Sequence, residues 1–364
     1  MRIGKIELRI VDLPLVQPFV TGFGSLTSRS AVVVRIETDL GEGWGDCGAM
    51  PTIGYSQEST ETAFSFLQKN SGALLHEDLS PATMRQHFQD ASENPMACAA
   101  LELAMLDAQA RSQSISIANV FSQDARKTVP AGVVIGLAPI FELLQEVELR
   151  IGEGYQRLKI KIQPGHDVDV LRQIRHVAGD AIELCADANG AYGKDDFKVL
   201  QKLDEFNLSY IEQPLHEDFS VHAVLAQQLS TPLCLDESLP TIALAKRAID
   251  MGACSVICIK APRFGSWTET VAFMDQCHAD NIPTWVGGLV ETGIGRRANV
   301  ALAAHPGATL CGDIGATGRF FAEDICAPLT LDGSVIAVND QPGFGEPPTK
   351  EVLDRVTVRS EFIA

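Results

Sequence analysis

The chain has 364 residues, a formal net charge of -18, 46% apolar residues and 21% charged residues. That length holds one large domain and a smaller one, each with its own core. The acidic balance excludes a nucleic-acid partner and an anionic membrane surface, both of which need a basic face.

Residues 1–13 alternate apolar and charged side chains, which predicts a strand rather than a signal peptide or a membrane span, and hence a cytoplasmic protein. Residues 3–11 and 31–37 read as antiparallel strands, with Gly41-Glu42-Gly43 as a turn. The 18–28 connection is rich in Gly, Ser and Thr and carries Phe19 and Phe23. It reads as a surface loop, a mobile flap being the alternative. From about 57 to 112 the pattern is helical, and residues 96–107 are apolar nearly all round, which predicts a buried helix.

After about residue 128 strands and amphipathic helices alternate. Strands are predicted at 129–136, 157–162, 182–188, 209–213, 232–237, 255–261, 283–288 and 309–313. Helices are predicted at 167–177, 195–206, 221–229, 242–251 and 268–279. Eight strands at this repeat fit a (β/α)8 barrel better than a doubly wound sheet, because no Gly-rich phosphate turn follows the first strand. Gly293-Ile294-Gly295 lacks a third glycine and is weak evidence for a nucleotide. The tail after about 325 has no strand–helix rhythm and is expected to fold back on the first domain. The nine cysteines form no CxxC pair, and Cys185, Cys234, Cys258 and Cys311 sit in strand-like runs as small buried apolar residues.

Charged residues end several of these strands. Lys159 and Lys161 share one face of the second strand, while Leu158, Ile160 and Ile162 share the other. Asp187, Glu212 and Asp236 end the third, fourth and fifth strands, and Lys260 ends the sixth. All of these then meet at the C-terminal mouth of a barrel, where barrel enzymes carry their chemistry. Three carboxylates brought together without partners repel one another, and a hard divalent cation such as Mg²⁺ relieves that repulsion. Mg²⁺ holding a substrate carboxylate stabilises the enediolate formed when the adjacent carbon loses its proton. Lys161 is the expected base on one face of that carbon, with Lys260 on the other. Lys159 beside Lys161, both desolvated and close to the metal, is expected to lower the lysine pKa toward the working range.

These residues resemble the enolase superfamily, in its muconate lactonising subgroup with a Lys-x-Lys base motif. The stretches Ile211-Glu212-Gln213-Pro214-Leu215, Thr231-Pro232-Leu233-Cys234-Leu235-Asp236-Glu237-Ser238 and Gly287-Gly288-Leu289-Val290-Glu291-Thr292-Gly293-Ile294-Gly295-Arg296 are similar to the o-succinylbenzoate synthase / N-succinylamino acid racemase family. The resemblance implies an α/β protein: a (β/α)7β TIM-type barrel (128–324) under an α+β capping domain made by residues 1–127 and the 325–364 tail. It implies Asp187, Glu212 and Asp236 as ligands of Mg²⁺, with Mn²⁺ as a substitute, and Lys161 and Lys260 as opposed acid and base. Asn189, Tyr55, Phe19 and the Gly288-Leu289 backbone are implied as the substrate pocket, with 18–28 closing over it. A small carboxylate substrate and a homo-oligomer are the expected partners.

This chain departs from the family pattern in two places. Val134 stands where the family commonly has serine, and Ala261-Pro262-Arg263 stands where it usually reads Pro-Gly-Arg. Both departures are expected near the substrate's succinyl or ring portion. A dipeptide epimerase would show Asp-x-Asp where this chain reads Glu291-Thr292-Gly293. A muconate-type cycloisomerase is the other reading within the superfamily, and a non-catalytic barrel would have lost at least one of the six charged positions.

Overall fold

The N-terminal strand runs further than its apolar residues suggest. In the computed structural model, which describes residues 1–21 and 24–364, β1 (Ile3–Thr21) and β2 (Gly24–Thr38) form one long antiparallel hairpin. The described part of 18–28 is therefore largely strand and not a surface loop, while Gly22 and Phe23 lie outside the described residues. The register slips between Pro14 and Phe19, where Pro14 and Pro18 have no N–H to complete the ladder. At the slip the hairpin docks on the barrel. Val16 N donates to Phe320 O at 2.9 Å, and the Phe19 and Phe320 rings meet edge-on at 5.8 Å. This docking overrides the weak strand propensity of the segment.

β3 (Gly41–Asp46) pairs with β2 and lies directly on the Pro95–Ser112 helix. A side-chain carbon at Gly43 or Gly45 would stand 2.0 Å from the carbonyl of Ala104 or Ala100, so only glycine permits the approach. That helix is apolar on nearly every side and buried from Met96 to Ala108, as its sequence predicts. It carries two carboxylates into its packed surface. Glu102 accepts Trp267 N and Thr268 N, both at 2.9 Å, and so caps the Trp267–Ala279 helix of the barrel. Asp107 accepts Trp44 N and Phe344 N.

Glu58 caps the same central helix at its start, accepting Met96 N at 2.7 Å and Ala97 N at 3.0 Å. Burial pushes its carboxyl up to about 7, and the two N–H groups offset only part of that. A folded-state value above the unfolded one means that protonation favours the fold. The contribution is complete below the unfolded value of about 4.5 and is lost as pH rises through about 7. Chemical denaturation at pH 5, 6.5 and 8 is expected to show stability falling across the series by about 2 kcal/mol from this group. Glu58→Gln should flatten that slope; an unchanged slope would remove Glu58 as its source.

The barrel grows strand by strand. β4 (Thr128–Pro130) and β5 (Gly132–Ile135) divide the expected 129–136 strand, and only β5 joins the barrel. β6 (Arg157–Lys161), β7 (Glu183–Asp187), β8 (Ile211–Glu212), β9 (Leu233–Leu235), β10 (Val256–Ile259) and β11 (Thr284–Val286) follow in parallel, giving a seven-stranded sheet in chain order among the described residues. The expected eighth strand is an irregular segment that still closes the ring. Leu310 N and Asp313 N donate to Thr284 O and Val286 O of β11, while Gly132 N of β5 donates to Ile314 O. The segment passes so close to β11 that a side-chain carbon at Gly312 would stand 2.3 Å from Val286 O, which disfavours an ordinary pleat.

The tail supplies β12 (Val335–Ala337), which pairs with β4, then the Lys350–Val356 helix and β13 (Thr357–Ile363), which pairs with β1. The tail therefore contains regular elements that its sequence rhythm does not reveal. The Ile140–Gly152 and Gly293–Ala303 helices also go beyond the sequence reading. No helix among the described residues is long and apolar enough to cross a membrane.

Candidate active site

Strand periodicity builds the site. Leu158 and Ile160 of β6 are buried in the main core, leaving Arg157, Lys159 and Lys161 on the other face. Further round the ring, Cys185, Tyr210, Cys234, Cys258 and Trp285 face one another in a small core of their own. All nine cysteines are free and buried. Two residues beyond four of these inward positions stand Asp187, Glu212, Asp236 and Lys260. The period of two thus places them on the inner face, at the C-terminal end of the strands. Register agrees, since Lys161 lies opposite Asp187, and Asp187 opposite Glu212.

A cavity of about 170 Å³ opens above this layer. Its wall contains Lys159, Lys161, Asp187, Asn189, Asp236, Lys260, Tyr55, Gly288, Leu289 and Phe19, ten of the eleven residues named from sequence. Glu212, the eleventh, lies just beneath and is fully buried. Ser25 and Leu26 of the hairpin also reach the wall.

Each lysine is held by carboxylates. Lys161 Nζ lies 2.6 Å from both Asp187 Oδ2 and Asn189 Oδ1. Lys159 Nζ bridges Asp187 (3.2 Å), Glu212 (3.0 Å) and Asp313 (2.8 Å). Burial alone would lower the Lys159 ammonium, but Asp313, Glu212 and Asp187 outweigh it and hold it well above the ordinary lysine range. Lys260 Nζ lies 2.7 Å from Asp236 Oδ2 and 4.5 Å from the centre of the Tyr55 ring. Burial works against its charge too, and Asp236 and Tyr55 outweigh it.

The carboxylates divide in the same way. Burial would raise both Asp187 and Asp236. Lys161 and Lys159 hold Asp187 below the usual range, and Lys260 with Arg263 holds Asp236 far below it. Glu212 is the exception: burial, then Asp187, push it up to about 8 against the pull of Lys159. Its Oε2 has the Lys159 ammonium at 3.0 Å as its ion-pair partner and no hydrogen bond of good geometry among the described residues. Carboxylate oxygens of Glu212 and Asp236 and the Cys258 sulfur lie within 4.8 Å of one another. A hard divalent ion prefers oxygen to sulfur, so the two carboxylates are the donors it would take from this group. A set of buried carboxylate oxygens fits a hard divalent ion.

Several contributors lie outside the residues named from sequence. Asp313, in the closing segment, binds Lys159 and Arg157; its place at the end of an expected strand was a usable signal. Arg263 contacts Asp236 and donates to Tyr55 Oη at 2.8 Å. Ala261 and Pro262 are buried and are not part of the cavity wall, whereas Val134 is. Gln213 positions the metal-side loops, accepting Asp236 N and Ser238 N at 3.1 Å with one oxygen. Its φ of 40°, like 42° at Asn189 and 55° at Val290, is strained backbone at the strand ends. Arg29, buried at the root of the hairpin, holds the Val290 carbonyl at 3.2 Å and that of Ala49 at 2.8 Å.

Family models match at both ends of the chain: "Mandelate racemase / muconate lactonizing enzyme, N-terminal domain" over residues 5–121, and "Enolase C-terminal domain-like" over 142–352. An N-succinylamino acid racemase from Amycolatopsis is 41% identical over 100% of both chains. An o-succinylbenzoate synthase from Bacillus subtilis is 37% identical over 99% of this chain and 98% of its own. The crystal structure of an enolase superfamily member from Listeria innocua superposes with a TM-score of 0.94 at 34% identity, covering 100% of this chain and 99% of that one. Full-length identity and matching architecture make the chain a member of the enolase superfamily, in the o-succinylbenzoate synthase / N-succinylamino acid racemase family.

Proposed function

We propose that the chain removes the proton α to a carboxylate, acting as an N-succinylamino acid racemase, an o-succinylbenzoate synthase, or both. The observation that carries this reading is the placement of two lysines on one cavity wall. Lys161 ends β6 and Lys260 follows β10, with three strands between them. Membership of the superfamily implies a divalent metal, which we assign as Mg²⁺, with Mn²⁺ able to replace it and Asp187, Glu212 and Asp236 as its ligands. When bound, the cation supplies positive charge that holds the substrate carboxylate and stabilises the enediolate.

The side chains do the rest. Lys161, oriented by Asn189, takes the α-proton from one face, and Lys260 delivers a proton to the other, which inverts the centre. In the dehydration, Lys161 takes the proton and returns it to the departing hydroxyl, while Lys260 stays charged beside the growing negative charge. Lys159 remains cationic and holds Asp187, Glu212 and Asp313 in place. The hairpin limits access of water to the cavity. In this division of the chain, residues 1–127 and 325–364 form the cap and 128–324 the catalytic barrel.

Proton NMR in D₂O with Mg²⁺ tests the reading on N-succinylamino acids. The α-proton signal is expected to disappear with the opposite enantiomer appearing, and EDTA is expected to stop both. Absence of exchange on every N-succinylamino acid, together with no dehydration to o-succinylbenzoate, would overturn it.

A further inference from the structure

Proton removal by Lys161 requires its neutral form, which has two N–H bonds and one lone pair. Both N–H bonds have acceptors at 2.6 Å, in Asp187 Oδ2 and Asn189 Oδ1. With those two directions taken, the lone pair is turned away from both oxygens and is free to meet a proton in the cavity that Lys161 lines.

Asn189 can defeat this arrangement. Its amide carries an oxygen on one branch and an NH₂ on the other, and a half-turn exchanges them. A flipped amide would donate to Lys161 and occupy the lone pair that must reach the α-proton. The ammonium form of Lys161 repels that flip, because it has no lone pair to accept with. The neutral amine both donates and accepts, so it stops selecting the amide orientation when proton removal depends on it.

Glu237, half-buried two residues beyond β9, supplies the selection. Its Oε1 accepts Asn189 Nδ2 at 2.6 Å, and neither oxygen of a carboxylate can donate in return. Both ends of this bond rest on fixed backbone. Gln213 Oε1 holds the Asp236 and Ser238 N–H groups on either side of Glu237, each at 3.1 Å, while Asn189 N donates to Asp187 Oδ1 at 3.0 Å. Lys260 is held differently, by Asp236 Oδ2 at 2.7 Å and by the face of the Tyr55 ring.

We propose that Glu237 is a positioning residue for the base, holding the Asn189 amide in the one orientation that keeps the lone pair of Lys161 open to the α-proton. The inference rests on the function proposed above and deepens it, since it assigns to Glu237 an effect on one of the two faces only.

Initial α-proton exchange is followed by proton NMR in D₂O with Mg²⁺, on both enantiomers of N-succinylalanine and N-succinylphenylalanine. At about pD 8.5 a carboxyl group is an acceptor alone. The enantiomer silenced by Lys161→Ala marks the Lys161 face. In Glu237→Leu that enantiomer is expected to exchange roughly 10- to 100-fold more slowly, the scale of one unsatisfied buried polar group, with the other within about twofold of wild type. Glu237→Gln still offers Asn189 a carbonyl oxygen and is expected to recover most of the lost rate. In Asn189→Ala, adding Glu237→Leu is expected to slow exchange no further, because a residue acting through the amide is silent once the amide is gone.

The Lys260-side rate reports on folding and metal loading in the same sample. Equal slowing of both enantiomers in Glu237→Leu, through the metal or through the fold, would overturn the inference. So would an unchanged Lys161-side rate, or further slowing in the double variant. Those failures leave the proposed function standing if the wild type exchanges both enantiomers. A wild type that exchanges neither loses the racemase reading, and this inference with it.

Discussion

Lys161→Ala is expected to slow α-proton exchange by about 10³-fold, within the range set by loss of a positioned general base, but only for the enantiomer whose proton faces β6. Lys260→Ala should do the same for the other enantiomer. Three strands separate β6 from β10 in the ring, which places the two amines on different sides of whatever occupies the cavity. Neither substitution should unfold the protein, because each leaves the remaining carboxylate with a cation. Asp187 keeps Lys159 at 3.2 Å after Lys161 is lost, and Asp236 keeps Arg263 after Lys260 is lost. No uncompensated buried charge is created, so the large cost of breaking a buried pair is avoided. Enantiomer-resolved exchange in D₂O, with a thermal melt on each variant, checks both halves. Equal loss of both exchanges in both variants would replace two opposed bases by one base and a fixed cation.

The second large effect concerns Glu212. The wild-type melting temperature should rise when Mg²⁺ is added, since a cation that binds only the folded state stabilises it by about 2.7 kcal/mol at 100 times its dissociation constant. Glu212→Gln should remove most of that increment and most of the exchange activity. Glu212 is fully buried and stands between the carboxylates of Asp187 and Asp236, with Lys159 as its one ion-pair partner among the described residues. A neutral amide of the same shape keeps the packing and loses the charge. A melting increment equal to the wild type's would place the cation elsewhere.

Much of this site was readable because a strand has a period of two. Once Lys159 and Lys161 face inward, each acid that ends a neighbouring strand must share their layer: five of the six charged residues line the cavity and Glu212 is buried outside its wall. Asn189, Tyr55, Gly288, Leu289 and Phe19 came from family resemblance, and all line the cavity. The misses have physical causes. The 18–28 segment has loop composition, and its strand is supported by the Phe19–Phe320 contact, made with a residue 301 positions later. The 129–136 run divides because β4 finds its partner in β12, a pairing no local pattern announces. Arg263 and Arg296 follow their motifs closely in sequence, yet their roles depend on what stands across the cavity. Arg263 pairs with Asp236, whereas Arg296 forms no ion pair among the described residues and packs over the Phe320 ring.

Arg9 of β1 bonds Thr357 of β13 across 348 positions of the chain. β1 therefore receives one neighbour at once, from β2, and the other only after the whole barrel has been synthesised. Until then its free edge offers an unpaired ladder beside Ile6, Leu8 and Ile10. Pairings this remote close slowly, so completion of the first sheet becomes a late event in biogenesis. The strand that arrives carries Arg359 and Glu361 and remains outermost in the sheet, a charged border on an edge that would otherwise recruit other chains.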